Sequence, residues 1–103
     1  MRVVGLEKIV GRTITGVVAT RSHEEGPPSG NPNGHIYLDF SDQTNVEIWS
    51  FGSGEIYCNR RLQEGGLEEV RAQISVRGGD DIVLEAYLQE DGRLAVNGSG
   101  FRG

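Results

Sequence analysis

Large side chains occupy both faces of a β-hairpin that the sequence predicts between His35 and Phe51. One face receives alternating apolar side chains, namely Ile36, Leu38, Phe40, Val46 and Ile48. The opposite face receives Tyr37, Asp39, Glu47, Trp49 and Phe51. A strand that is buried on one side normally carries polar residues on its outer side. Three aromatic side chains on that outer side therefore indicate that a helix, a ligand or another subunit covers it.

Alternating and β-branched segments predict a mainly β fold (α+β by a strict count), an antiparallel sheet or β-meander of about six or seven strands. The predicted strands are Thr13–Arg21, His35–Ser41, Asn45–Phe51, Glu55–Asn59, Gln73–Arg77, Ile82–Gln89 and Arg93–Asn97. Helical spacing predicts two short helices, Leu6–Val10 and Leu67–Ala72. The 16 glycines of the chain also favour a turn-rich β protein over a helical bundle.

Side-chain parity predicts the registers of two hairpins, because a slip of one residue would expose a whole apolar set. In the first hairpin, Phe40 is expected opposite Ile48, with Asn45 in the left-handed conformation. In the last hairpin, Leu88 is expected opposite Leu94, with Gly92 at the left-handed position. The predicted core consists of Leu38, Phe40, Ile48, Ile56, Leu84 and Leu88.

A chain of 103 residues is expected to form a single domain, residues 1–103. Ser22–Gly34 contains all three prolines and no other apolar side chain, so it is predicted to be a mobile loop. Residues 98–103 are predicted to form a flexible tail. Gly16 predicts a bulge or a close backbone approach within the first long strand. Cys58, the single cysteine, is expected to be a buried thiol.

The acidic balance of the chain narrows the classes of partner. The net charge is −5 and the isoelectric point is about 4.9, which argues against nucleic acid polymers and anionic membranes as partners. Such a charge suits solubility or a cationic partner. No apolar stretch approaches the roughly 18 residues that span a bilayer, and no leader pattern is visible, so a cytoplasmic location is expected.

Three acid-base side chains, His35, Asp39 and Glu47, can share one face of the predicted sheet and form a proton-transfer site. A solvated strand edge is the preferred interpretation, because no positional motif supports catalysis. The sequence therefore favours a non-catalytic protein and leaves a small enzyme open as an alternative.

Metal and anion sites have weaker support in the sequence. The run His23-Glu24-Glu25 lies in the Pro/Gly segment and has no second His or Cys at zinc-finger spacing, so neither a metal nor a cofactor is expected. The basic pair Arg60-Arg61, beside Tyr57 and Trp49, could hold a phosphate while an aromatic ring stacks on a base.

Three segments resemble small acidic β-rich proteins of bacteria and their phages, many of them uncharacterised. The segments are Leu6 with Gly11-Arg-Thr-Ile, then Ile36-x-Leu-x-Phe-Ser-Asp-x-Thr, and then Gly65-Gly-Leu-Glu-x-Val. Such proteins include immunity and anti-defence proteins that bind a toxin, an enzyme or a signalling nucleotide. The resemblance implies a binding function and transfers no functional residue to this chain.

Together these observations predict a non-catalytic binding protein, of inhibitor or immunity type, that acts through an aromatic and acidic sheet face. The predicted binding residues are Tyr37, Asp39, Glu47, Trp49, Phe51, Tyr57, Arg60 and Arg61. A homo-oligomer is expected, with a protein or a small anionic ligand as partner. One alternative is a protein that sequesters a small phosphorylated or nucleotide ligand. The other is a small enzyme built on His35, Asp39 and Glu47.

Overall fold

One sheet organises the chain. The computed structural model describes residues 3–22, 34–50, 56–59, 61–77 and 80–98. Its strands are β1 (Val3–Val4), β2 (Ile14–Ser22), β3 (Gly34–Phe40), β4 (Thr44–Ser50), β5 (Ile56–Cys58), β6 (Gln63–Glu64), β7 (Asp80–Leu88) and β8 (Leu94–Asn97). Its helices are a 3-10 helix at Leu6–Ile9 and an α-helix, α1, at Leu67–Arg77. The predicted mainly β fold is confirmed.

The sheet is a meander extended by a returning hairpin. Its order is β1-β5-β4-β3-β2-β7-β8, and β6 pairs with β4 beside this path. Neighbouring strands are antiparallel except for β1 and β5, which run parallel. Helix α1 follows β6 and carries the chain across the sheet, so that β7 pairs with the outer edge of β2.

Two clusters of buried side chains lie on opposite faces of the sheet. On one face Val18 and Tyr37 pack against Val70 and Ile74 of α1. On the other face the cluster consists of Phe40, Val46 and Cys58, with Leu6, Ile9, Leu38, Ile48 and Leu62 packed against it. Because side chains alternate along a strand, β3 supplies both clusters: Tyr37 to one, and Leu38 and Phe40 to the other. The buried thiol predicted for Cys58 is confirmed.

Helix α1 is longer than the sequence predicted. It begins at Leu67 as expected, after Gly65 has turned the backbone at a φ of 107°. The predicted strand Gln73–Arg77 is wrong, because this segment continues the helix. The alternation of Ile74 and Val76 suggested a strand. However, Ile74 lies four residues after Val70 and packs beside it on the sheet, whereas Val76 is 87% exposed.

The two predicted hairpin registers have different outcomes. In the last hairpin Leu88 pairs with Leu94, and Gly92 has a φ of 82°, so that prediction is confirmed. In the first hairpin the prediction is wrong, because Ile36 lies opposite Ile48. There the left-handed residue is Gln43, with a φ of 65°, and its N–H closes the turn on the Phe40 carbonyl at 3.1 Å.

The predicted core is only partly correct. Phe40 is buried, whereas the other predicted core residues Leu38, Ile48, Ile56 and Leu84 are half-buried. Leu88 is 49% exposed, so its predicted burial is wrong. The reason is that the second cluster gathers under the 3-10 helix, at the β4–β5 side of the sheet, and Leu88 lies at the opposite side.

Two predicted mobile segments fall largely outside the described residues. Of the predicted loop Ser22–Gly34, the structure describes only the two end residues, and of the tail 98–103 only Gly98. Within the described ranges, no helix is both long and apolar enough to cross a membrane.

A candidate ligand pocket beside Asp39

The predicted binding residues occupy three different environments. Tyr37 is fully buried beneath α1, and the acids Asp39 and Glu47 are also buried. Trp49 and Tyr57 are half-buried, and their rings stack with centroids 6.0 Å apart. Arg61 is exposed, and Phe51 and Arg60 lie outside the described residues. For Tyr37, the cover expected over the second face is therefore the helix.

Two of the three acid-base candidates, His35 and Glu47, contact each other. The Nδ1 atom of His35 contacts the carboxylate of Glu47 on the neighbouring strand. Asp39 lies four residues beyond His35 on β3, which is roughly 13 Å along an extended strand. A pocket lined by Asp39 contains neither His35 nor Glu47 in its lining. Asp39 and His35 thus lie apart on β3, while Glu47 pairs opposite Tyr37, two residues before Asp39.

Gly16 makes room for the carboxylate of Asp39. The two residues pair across β2 and β3, next to a shift in strand register between Ile14 and Gly16. A Cβ atom on Gly16 would lie 2.9 Å from Oδ2 of Asp39. The bulge and the close approach predicted at this glycine are both present. Together they allow the carboxylate to lie against the backbone of β2.

The carboxylate of Asp39 is buried, and no described residue donates a hydrogen bond to it. The residue is 4% exposed, and neither Oδ1 nor Oδ2 has a hydrogen-bond partner among the described residues. On the adjacent strand, Asn45 lies opposite Asp39, and its buried Oδ1 also lacks a donor in that part of the chain. Burial raises the pKa of Asp39 from 3.8 to about 6, because the charged form loses its hydration.

One guanidinium and a second carboxylate lie close to Asp39. Arg71 of α1 donates hydrogen bonds from Nε, at 3.3 Å, and from a terminal nitrogen to the buried carboxylate of Glu85 on β7. Those hydrogen bonds raise the pKa of Arg71. The charge of Arg71 lowers the pKa of Asp39 and that of Glu85 raises it, and both effects are smaller than that of burial. Two acids thus share one cation, and the group keeps one negative charge when Asp39 is ionised.

A pocket of about 420 Å³ opens onto this group between the sheet and the start of α1. Polar side chains in its lining include Thr15, Asp39, Glu68 and Arg71. The ring of Tyr87 forms another part of the wall, and the Arg71 guanidinium lies 5.8 Å from its centroid. Unpaired carboxylate oxygens and an aromatic face are the features that recognise ammonium and guanidinium groups.

A second pocket, of about 360 Å³, lies near the stacked aromatic pair. Its lining is mostly apolar and includes Ile36, Ile48, Trp49 and Ile56. His35 and the buried Thr20 add polar atoms, and the Thr20 hydroxyl has no hydrogen-bond partner among the described residues. None of the described residues that line this pocket is an acid, so its chemistry differs from that of the pocket beside Asp39.

Comparison of the chain with protein-family models, with curated proteins and with solved structures gave no match. The assignment of a site therefore depends on the geometry of the chain itself.

Sequence reasoning found one of the residues at the centre of this pocket and missed its neighbours. Asp39 was predicted as a binding residue, whereas Arg71 and Glu85 were not singled out. The sequence signal that lies nearest to this group of residues is Gly16. It pairs with Asp39 next to the bulge, and its lack of a side chain leaves room for the carboxylate.

Proposed function

We propose that this chain is a non-catalytic binding protein that holds a cationic group, an ammonium or a guanidinium, in the pocket beside Asp39. The observation that carries the proposal is a carboxylate that is 4% exposed, lines an open pocket and has no donor in the described part of the chain. The proposal retains the predicted non-catalytic binding function and uses Asp39, one of the predicted binding residues.

The energetic argument concerns the unpaired charge. A buried carboxylate without a partner destabilises a fold by several kcal/mol, or it becomes protonated. A ligand with N–H donors and a positive charge supplies the missing hydrogen bonds and offsets the negative charge. The carboxylate can then stay ionised without destabilising the fold. It also balances the charge of the group formed by Asp39, Arg71 and Glu85.

The shape of the pocket supports a small cationic group. Thr15 adds a hydroxyl to the wall, and Glu68 adds a second carboxylate at the exposed side. Tyr87 supplies an aromatic face near the alkyl or guanidinium part of a ligand. A small anionic or phosphorylated ligand fits this pocket poorly, because Arg71 is already neutralised by Glu85.

Binding is favoured over proton-transfer catalysis by the separation of the titratable groups. His35 contacts Glu47 and neither residue lines the pocket, so no imidazole of the described residues lies beside Asp39 as a proton relay. Binding of a cation needs only what the pocket contains.

Titration with n-butylammonium, followed by ¹⁵N–¹H NMR at pH 7.5, tests the proposal. Amide shifts should concentrate at Thr15, Gly16, Gly66 and Leu67, around the pocket. They should be lost in Asp39→Asn and retained in Glu90→Gln, which removes an exposed carboxylate instead. The neutral analogue n-butanol should cause no comparable shifts.

The opposite pattern would remove the proposal. If n-butylammonium shifted the amides of wild type and Asp39→Asn equally, the carboxylate would not be part of the site. If n-butanol caused the same amide shifts as n-butylammonium, the pocket would recognise the alkyl chain alone.

A further inference from the structure

Asn45 carries a second buried acceptor close to the carboxylate of Asp39. Its side chain is fully buried, and its Oδ1 atom has no hydrogen-bond donor among the described residues. Its Nδ2 atom donates to the carbonyl of Gly65 at 2.8 Å. Exchanging the two ends of the amide would set its oxygen against that carbonyl oxygen. The hydrogen bond to Gly65 therefore fixes which side of the amide carries the unpaired oxygen.

Strand pairing places the acceptors of Asn45 and Asp39 side by side. The two residues are direct partners on β4 and β3. Facing side chains of an antiparallel pair lie on one face of the sheet, with Cβ atoms about 4.5–5.5 Å apart. Asp39 follows Tyr37 by two residues, so this face is the one that α1 covers. Three oxygens, two from Asp39 and one from Asn45, are thus gathered there without a donor from the described residues.

Two donors that line the same pocket are engaged elsewhere. The Thr15 hydroxyl donates to the backbone carbonyl of Asp39 at 3.4 Å, and the Arg71 guanidinium donates to Glu85. At pH 7.5 the carboxyl group of Asp39 is mostly ionised, because its pKa is about 6, so it has no proton to donate to Asn45. Buried polar atoms are nearly always hydrogen-bonded in proteins. A ligand in the pocket is the remaining source of donors for the three oxygens.

A primary ammonium group suits a site of three acceptors. It carries three N–H donors and no acceptor, whereas a guanidinium carries five N–H donors in one plane. Asn45 is fully buried and does not line the pocket, so the nitrogen of a ligand reaches its oxygen only past Asp39. A methyl group on that nitrogen would remove one donor and place a carbon atom against the Asn45 oxygen.

We infer that the pocket selects primary ammonium groups, and that Asn45 determines this specificity by accepting the third N–H after Asp39 has accepted two. The inference rests on the proposed binding of a cation beside Asp39 and narrows its ligands to primary amines. A metal ion suits the site less well, because calcium takes about six to eight oxygen ligands. The described residues also contain no group of three or more His, Cys, Asp or Glu side chains that could hold a metal ion.

Two isomeric ammonium ions test the selectivity of the pocket. n-Pentylammonium has three N–H groups, and N-methyl-n-butylammonium has the same atoms but one N–H fewer. In ¹⁵N–¹H NMR titrations at pH 7.5, wild type should bind n-pentylammonium about fivefold more tightly, the usual effect of one hydrogen bond. Equal affinity for the two ions would overturn the inference while leaving the proposed cation site intact. Binding of neither ion would overturn both.

Two substitutions of Asn45 separate its acceptor oxygen from its hydrogen bond to Gly65. Asn45→Ala and Asn45→Asp both remove the donor to Gly65, but only Asn45→Asp retains an acceptor beside Asp39. The preference for n-pentylammonium should fall below about twofold in Asn45→Ala and persist in Asn45→Asp. The added charge of Asn45→Asp acts on both ions alike, so the ratio of the two affinities is the quantity to compare.

The outcomes for these variants are distinct. Loss of the preference in both variants would show that Asn45 acts only by supporting Gly65, and retention in Asn45→Ala would show that its oxygen contacts no ligand. Either result would overturn the inference. Far-ultraviolet circular dichroism checks the fold of both variants, and the two ions compared on wild type decide the selectivity even if one variant is unfolded. Amide shifts with calcium chloride as large as those with n-pentylammonium would assign the three oxygens to a metal ion instead.

Discussion

Replacing Asp39 by Asn is expected to stabilise the protein at neutral pH. The amide has the shape of the carboxylate but no charge to desolvate. Burial raises the pKa of Asp39 from 3.8 to about 6, so the folded state disfavours the ionised form that the unfolded chain accepts freely. Above pH 6 the wild type carries this penalty in full, whereas below pH 3.8 both states bind the proton and the penalty vanishes.

The size of the effect follows from the shift in pKa. A shift of about two units at roughly 1.4 kcal/mol per unit gives a penalty of about 2–3 kcal/mol. For a domain of this size, each kcal/mol changes the melting temperature by about 4–8 °C. Asp39→Asn should therefore melt at least about 8 °C above wild type at pH 7.5. The difference should shrink as the pH falls through 6 and disappear near pH 3.5.

Differential scanning calorimetry of wild type, Asp39→Asn and Glu90→Gln, at four values of pH from 3.5 to 7.5, measures this difference. Glu90→Gln changes the net charge by the same amount at an exposed position and should show no such pH-dependent gain. If Asp39→Asn were less stable than wild type at pH 7.5, the carboxylate would be making favourable interactions in the folded state. The idea of an unpaired acid kept for a ligand would then be refuted.

Two further substitutions test the buried cluster around Phe40 and the close contact between Gly16 and the carboxylate of Asp39. Phe40→Ala should lower the free energy of unfolding by about 3–5 kcal/mol in urea, because Phe40 is fully buried in the cluster under the 3-10 helix; a loss below about 1 kcal/mol would show that this cluster contributes little. Gly16→Ala should change stability by less than about 1 kcal/mol, since the carboxylate of Asp39 can move. It should nevertheless weaken n-butylammonium binding at least tenfold in the same NMR titration, because the new methyl group would lie 2.9 Å from Oδ2 of Asp39. Unchanged binding would show that the close contact between Gly16 and the carboxylate is unimportant for the ligand.

The sequence predicted the features of this fold that depend on local pattern. Alternation located the six strands of three or more residues, and the glycine at position 92 with the parity of Leu88 and Leu94 gave the last hairpin. Prediction from the sequence failed where the spacing of the apolar residues fits both a strand and a helix. Ile74 and Val76 alternate as in a strand, but the packing of Ile74 beside Val70 against Tyr37 decides for a helix. That contact joins distant parts of the chain, so no local pattern contains it.

The candidate site, like the fold, was predictable only where it depends on local pattern. The hairpin pattern placed Asp39 on the face opposite the aliphatic residues, and the structure has it there. Its burial depends on α1 crossing the sheet, and its neighbours Arg71 and Glu85 come from elements that meet only in the folded chain. The turn at Gln43 was missed because a non-glycine residue with positive φ leaves little trace in a sequence.

The position of β2 has a consequence for the order of folding. Val18 pairs with Tyr37, which is close in sequence, and also with Glu85, which follows it by 67 residues. Contacts between distant residues form slowly, because a long loop must close before they are gained. We therefore expect the β2–β5 meander to assemble first, with Val18 and Tyr37 still open to water, and α1 and β7 to dock afterwards. On a ribosome the meander would emerge before the elements that carry Arg71 and Tyr87. The candidate ligand pocket, which needs α1 and β7 as well as Asp39 of the meander, is then completed last.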